Sequence, residues 1–195
     1  MRVIAGRAGG IHLNVPKAGI RPTMDRVKAA IFSSLGDRVI GAQVLDLFAG
    51  TGALGIEALS RGAAAALFVD QDRKAIATIE SNLQKSRLTG GVRQQEVFEF
   101  LKRIDAAPQF RIIFADPPYE HTKSGERFTE KLLTNETLPT LLEADGVFVL
   151  EKRPEEELPA LNWWDVVRQK KYGATEVTFL SPKNSSSANS VFAIE

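Results

Sequence analysis

From Gln43 to Leu150 the chain alternates short, nearly continuous apolar runs with longer stretches of helical periodicity. Strands that are apolar on both faces have to be covered on both faces, and helical crossovers between them make neighbouring strands parallel. The expected strands are 43–48, 66–70, 91–95, 111–115 and 146–150, and the expected helices are 53–61, 73–86, 97–104 and 127–142. After Glu151 the pattern changes. Residues 164–171 and 175–180 flank Tyr172-Gly173-Ala174 and read as an antiparallel hairpin. The prediction is an α/β fold: a mostly parallel sheet ending in an antiparallel hairpin, with helices on both faces.

Upstream of the alternation, residues 1–22 are rich in Gly, Arg and Pro and read as a basic arm or small hairpin. Thr23 is placed to cap a helix whose apolar positions are Val27, Ala30, Ile31 and Leu35, and Gly36 ends it. The expected division is therefore an N-terminal extension (1–22), one domain (23–182) and a flexible tail (183–195) containing the low-complexity run "NSSSANS". A chain of 195 residues that is 44% hydrophobic can bury one sizeable core, whereas two full domains would be cramped.

Composition removes several chemistries. There is no cysteine, hence no disulfide framework, thiolate metal site or thiol nucleophile. His12 and His121 stand far apart in the chain, and no metal site is expected. The N-terminus lacks the apolar core of a signal peptide and no run reaches membrane-spanning length, so a cytoplasmic protein without membrane contact is expected.

The net charge is only +1, but it is unevenly spread. Between Met1 and Lys28, the bases Arg2, Arg7, Lys17, Arg21, Arg26 and Lys28 face a single acid, Asp25. Arg168, Lys170 and Lys171 form a second basic set. Such patches on a nearly neutral chain suit phosphate contacts. Arg2, Arg7, Lys17 and Arg21 are the expected nucleic-acid contacts, with Lys170 and Lys171 as weaker candidates.

The segment "VLDLFAGTGALGIEALSRGA" carries the densest signal. An apolar strand ends at Phe48, and Gly50, Gly52 and Gly55 open a helix as G-x-G-x-x-G. Glycines there permit a tight turn and let backbone N–H groups approach a ligand. Asp70 ends the next strand, where an acid accepts the hydroxyl protons of an adenosine ribose. Two cofactor classes fit, a nicotinamide dinucleotide and S-adenosylmethionine (AdoMet). Asp46, on the strand before the loop, suits the cationic methionine end of AdoMet and would be a poor neighbour for pyrophosphate. AdoMet is therefore the favoured reading. A second segment, "FADPPYE", follows the strand ending at Ala115. Taken alone it is a rigid turn, since Pro-Pro ends a strand and Asp favours turns.

Asp46-Leu47-Phe48-Ala49-Gly50-Thr51-Gly52 together with Asp116-Pro117-Pro118-Tyr119 resembles the signature pair of class I AdoMet-dependent methyltransferases acting on amino groups. More narrowly, the chain is similar to the RsmD family of bacterial ribosomal RNA guanine-N2 methyltransferases. The segments that carry the likeness are "RVIAGRAGG", "RPTMDRVKAAIFSSL", "VLDLFAGTGALGIEALSRGA", "FVDQD", "NLQKSRL", "IIFADPPY" and "KKYGATEVTFL".

The resemblance implies a Rossmann-like class I sheet with AdoMet contacts at Asp46, Phe48, Gly50, Gly52, Asp70, Gln71, Glu96, Val97 and Asp116. It implies a target-amine site made by Asp116, Pro117 and Tyr119. It also implies a substrate in 16S ribosomal RNA, free or in a partly assembled small subunit, for a chain expected to act as a monomer. Ala29 and Ser33 stand where the family usually has a glutamate and an asparagine, and Glu96 replaces a more usual aspartate. An adenine-N6 methyltransferase shares the D-P-P-Y tetrad, and a nicotinamide-dependent oxidoreductase shares the glycine loop; both remain as alternatives.

Overall fold

The computed structural model describes residues 1–15, 25–105, 107, 109–118 and 127–183. Lys17, Arg21, Thr23, Tyr119, His121 and the tail beyond Lys183 lie outside the described residues. The elements in chain order are α1 (Asp25–Leu35), a 3-10 turn (Gly36–Val39), β1 (Gln43–Leu47), α2 (Ala53–Ser60), β2 (Ala65–Asp70), α3 (Arg73–Ser86), β3 (Gly91–Gln94) and α4 (Val97–Arg103). They continue with β4 (Phe110–Ala115), α5 (Phe128–Leu133), α6 (Thr137–Thr140), β5 (Leu142–Lys152), β6 (Trp164–Tyr172) and β7 (Thr175–Pro182).

Among the described residues, seven strands form one sheet in the order β3-β2-β1-β4-β5-β7-β6. Strands β1 to β5 pair in parallel, and β7 runs antiparallel to both of its neighbours, β5 and β6. The apolar strands read as they do because each feeds two cores. Ile112 and Phe114 of β4 pack with α1, α2 and α3, where Ile31, Phe32, Ile56 and Ile79 meet them. Ile113 and Ala115 pack on the other side with Phe100, Leu101, Leu132 and Leu138 from α4, α5 and α6.

The single helix expected over 127–142 is two short helices, α5 and α6. Asn135 accepts the Leu138 N–H at 2.8 Å and starts a new turn. Pro139, which has no N–H, sits in the first turn of α6, the part of a helix that tolerates it. Leu142 then belongs to β5, which pairs Phe110 with Leu142 and resumes at Ile112 with Val147 after a register shift. That shift makes the strand longer at its start than the expected 146–150.

The N-terminal residues fold back as a small antiparallel turn, bridged at Arg2 and His12, with Val3, Ala8 and Leu13 buried. Glu57 of α2 anchors them, accepting the amides of Ile4 at 2.7 Å and Ala5 at 3.0 Å. The same carboxylate pairs with Lys28 of α1 at 3.0 Å, both side chains fully buried, and with Arg61 at 2.8 Å. Lys28 also donates to the Arg2 carbonyl at 2.5 Å. Three pieces of chain, the N-terminal turn, α1 and α2, thus meet at one buried acid.

Candidate active site

Side-chain alternation brings acids from separate strands to one face of the sheet. Val44 lies in the α1–α3 core, so Asp46, two residues on, projects to that face; Phe68 and Phe114 do the same for Asp70 and Asp116. Asp46 pairs in register with Phe68 and Phe114, so the acids stand close together at the carboxyl edge. Open α/β sheets bind ligands there, at the point where the strand order reverses.

Asp46 is buried and accepts the Gly55 N–H at 2.9 Å. Burial pushes its carboxyl up to about 8, and the charges of Asp116 and Asp70 add to the rise. Asp70 holds the loop from the other side: one oxygen accepts the Gly50 N–H at 2.8 Å and the other accepts the Asp72 N–H at 2.9 Å. A carboxylate has about four acceptor positions, so two backbone bonds leave room for ligand hydroxyls.

Between these acids the loop follows a course that glycine makes possible. Phe48, Gly50 and Gly52 have φ of 55°, 55° and 75°. Phe48 is the residue that holds this conformation with a side chain, a strain characteristic of functional loops. It turns its ring edge-on to Phe128 at 5.4 Å and to Phe98 at 6.2 Å. At Gly55 the constraint is contact instead, because a Cβ there would lie 2.3 Å from the Phe68 ring.

Gln71 and Glu96, the residues beyond β2 and β3, line a cleft of about 520 Å³ shared with Phe98, Phe128 and Lys131. Glu96 caps α4 by accepting the Glu99 N–H at 2.8 Å. Val97 is buried in the core on the α4 side of the sheet. Asp116 is half-buried, Pro117 buried and Pro118 exposed. Of the expected RNA contacts, Arg2 and Arg7 are exposed. Arg2 lies against Asp25, and the Arg7 backbone binds Ser60 at the far end of α2, about 12 Å of helix rise from Gly52.

Asn82 has no place among the expected site residues, yet it is fully buried behind the loop. Its amide donates to the Thr51 carbonyl at 2.9 Å and to the Asn14 carbonyl at 3.1 Å, and its oxygen accepts the Asn14 N–H at 2.7 Å. Its signal in the sequence is a polar residue on the buried stripe Ala75, Ile79, Asn82, Leu83 and Ser86 of α3.

The acids suit a cation: a positive group brought beside Asp46 would favour the ionised form that burial, and after it the neighbouring acids, now disfavour, whereas a pyrophosphate would disfavour it further. The residues present therefore fit AdoMet. Asp46 and the loop would face its methionine end, Asp70 its ribose, and Gln71 and Glu96 its adenine.

The strand order, the glycine loop and the strand-end acids define a class I AdoMet-dependent methyltransferase. The family model described as Conserved hypothetical protein 95 matches residues 1–181. Putative rRNA methyltransferase YlbH of Bacillus subtilis is 42% identical over 185 residues, covering 91% of this chain and 96% of the relative. Ribosomal RNA small subunit methyltransferase D of Haemophilus influenzae is 32% identical over 177 residues, covering 89% of each chain. Among solved structures, the putative methyltransferase yhhF from Escherichia coli superposes with a TM-score of 0.75 at 30% identity, over 94% of this chain and 98% of that one. The chain belongs to this family, the RsmD-type ribosomal RNA methyltransferases.

Proposed function

We propose that the chain methylates the exocyclic N2 amine of one guanosine in small-subunit (16S) ribosomal RNA, with Asp116, Pro117 and Tyr119 forming the amine site. The observation that carries this reading is the placement of Asp116 and Pro117 at the end of β4, beside the β1 strand that bears Asp46 and the glycine loop. An acceptor for an amine thus adjoins the cofactor residues on one sheet edge.

The guanine amine is a weak nucleophile because its lone pair is delocalised into the ring. In this reading the Asp116 carboxylate accepts one N–H and the Pro117 carbonyl the other, which localises the lone pair and aims it. Pro117 and Pro118 contribute no backbone donor and little freedom, so the acceptors stay in place. When bound, AdoMet supplies an electrophilic methyl group on a sulfonium. Asp116 then stabilises the positive charge that develops on the amine, and alignment of the reactants supplies about 7–11 kcal/mol of the barrier reduction. Tyr119 stacks on the base, a contact worth roughly 1–3 kcal/mol. The base has to leave its stack to reach such a pocket, which favours loops and ends over intact duplex.

The proposal includes a cytoplasmic monomer whose substrate is free 16S RNA or a partly assembled small subunit. The test is incubation with methyl-labelled AdoMet and, separately, 16S RNA, partly assembled small subunits and DNA, followed by nucleoside analysis. N2-methylguanosine in the RNA or the particle is the expected product. Label confined to adenine would establish the adenine-N6 alternative instead.

A further inference from the structure

We propose that the row Arg168, Lys170 and Tyr172 on edge strand β6 binds the single-stranded RNA that flanks the target base. The proposal rests on the methyltransferase reading above and adds a surface to it. Register places the row. Ala115 pairs with Leu150, so Asp116 stands next to Glu151; Glu151 pairs with Val177, and Val177 pairs with Lys170. Asp116 and Lys170 therefore occupy one line across the carboxyl edge of the sheet, three strand spacings or about 14 Å apart.

Alternation places the side chains. Val177 and Phe179 lie in the α1–α3 core, so their partners Lys170 and Arg168 project to the face that carries Asp46, Asp70 and Asp116. Tyr172 packs half-buried against the same core. Lys171 goes to the other face: its partner is Glu176, a buried acid 2.7 Å from Lys152, and its ammonium lies 3.9 Å from that carboxylate. Two adjacent lysines that look equivalent in the sequence thus differ in the fold.

The row has the composition of a single-strand contact. Arg168 and Lys170 are exposed, Arg168 rests on Ser34 of α1 through one bond of 3.3 Å, and the Lys170 ammonium lies 5.7 Å from the centre of the Tyr172 ring. Cations beside a ring suit a phosphate backbone and a stacked base. The location also answers a problem the site creates for itself. Asp70 and Asp116 repel phosphate, so a strand delivering a base to Asp116 needs cations further along the same edge. Arg7, at the far end of α2, does not stand on that edge.

The experiment compares Lys170→Ala, Tyr172→Ala and Arg168→Ala with Lys171→Ala. Two readouts are taken: anisotropy of a fluorescein-labelled single-stranded oligoribonucleotide across a salt series, and KM and kcat on 16S RNA and on partly assembled small subunits. Circular dichroism checks the fold of each variant. Expected are a loss of RNA affinity of about tenfold for Tyr172→Ala and a salt slope reduced by roughly 0.7 for Lys170→Ala. KM should rise while kcat and AdoMet affinity hold, and Lys171→Ala should match the wild type. Equal effects of Lys170→Ala and Lys171→Ala, or unchanged RNA binding in all four, would overturn the proposal. Unchanged RNA binding with activity lost only on particles would assign the row to a protein of the particle. The anisotropy arm needs no methyl transfer, so an inactive wild type that still binds RNA through this row would count against the guanine reading alone.

Discussion

Asp46 and Gly55 are joined across the glycine loop by a hydrogen bond of 2.9 Å from the Gly55 amide to the Asp46 carboxylate. That bond holds one oxygen of a buried acid whose carboxyl is raised from 3.8 to about 8. Between those two values the unfolded chain loses the Asp46 proton while the folded chain keeps it. Stability should therefore fall as pH rises through that window, by up to about 1.4 kcal/mol per pH unit from this group, and level off above about 8. Asp46→Asn retains an acceptor for Gly55 and removes the titration. Thermal melts should find the variant more stable than the wild type at pH 8, with the gap closing towards pH 4; a constant gap would refute the assignment.

The same proton should report cofactor capture. At pH 7 Asp46 in the free protein is mostly protonated, and a cation placed beside it favours the ionised form. AdoMet binding should release close to one proton. Calorimetry in two buffers of different ionisation enthalpy should give different binding enthalpies for the wild type and the same value for Asp46→Asn, whose affinity should also drop.

Gly55 is a packing requirement as well as a hydrogen-bond donor. A methyl group there would meet Phe68 at 2.3 and 2.7 Å, and Phe68 is fully buried. Alanine in a helix gains up to about 1 kcal/mol over glycine, against an overpacking cost of about 1–3 kcal/mol. Gly55→Ala should therefore be destabilising on balance. Pairing it with Phe68→Leu should recover part of the loss, which a denaturant-based double-mutant cycle would show as favourable coupling.

Lys28 and Glu57 make a different kind of demand. Burial holds the Lys28 ammonium below its usual range, with Glu57 opposing the shift. Replacing Glu57 by Gln leaves Lys28 with the Arg2 carbonyl and weakens the anchor for Ile4 and Ala5. A loss of about 3–5 kcal/mol is expected. Lys28→Met should cost less, because Glu57 keeps Arg61 and two backbone donors. Hydrogen exchange should show the amides of Ile4 and Ala5 opening in Glu57→Gln before the sheet does.

Much of this architecture was legible in the chain because it rests on local patterns. Strands β1, β2 and β4 and helices α2, α3 and α4 follow from apolar runs, helical spacing and glycine punctuation. The helix expected over 127–142 broke because Asn135 restarts the turn and Leu142 answers to β4, a partner distant in sequence. Glu57 has partners, Lys28 and the amides of Ile4 and Ala5, that come from other elements, so no local pattern announces them. Asn82 and the separation of Lys170 from Lys171 were hidden for the same reason, since burial and strand register are set by tertiary pairing.

Asp116 offers the sharpest separation of binding from chemistry. Its charge is one cause of the raised Asp46 carboxyl, so neutralising it should ease Asp46 into the ionised form that a cation prefers. Asp116→Asn should accordingly keep AdoMet affinity within a few-fold of the wild type or improve it. Methyl transfer should still fall by about 10²–10³, the usual cost of removing one preorganised group that stabilises developing charge. Calorimetry for the first quantity and single-turnover transfer to 16S RNA for the second decide the matter. Wild-type transfer in the variant would remove Asp116 from the amine site, and losses of equal size in both measurements would place it with the cofactor instead.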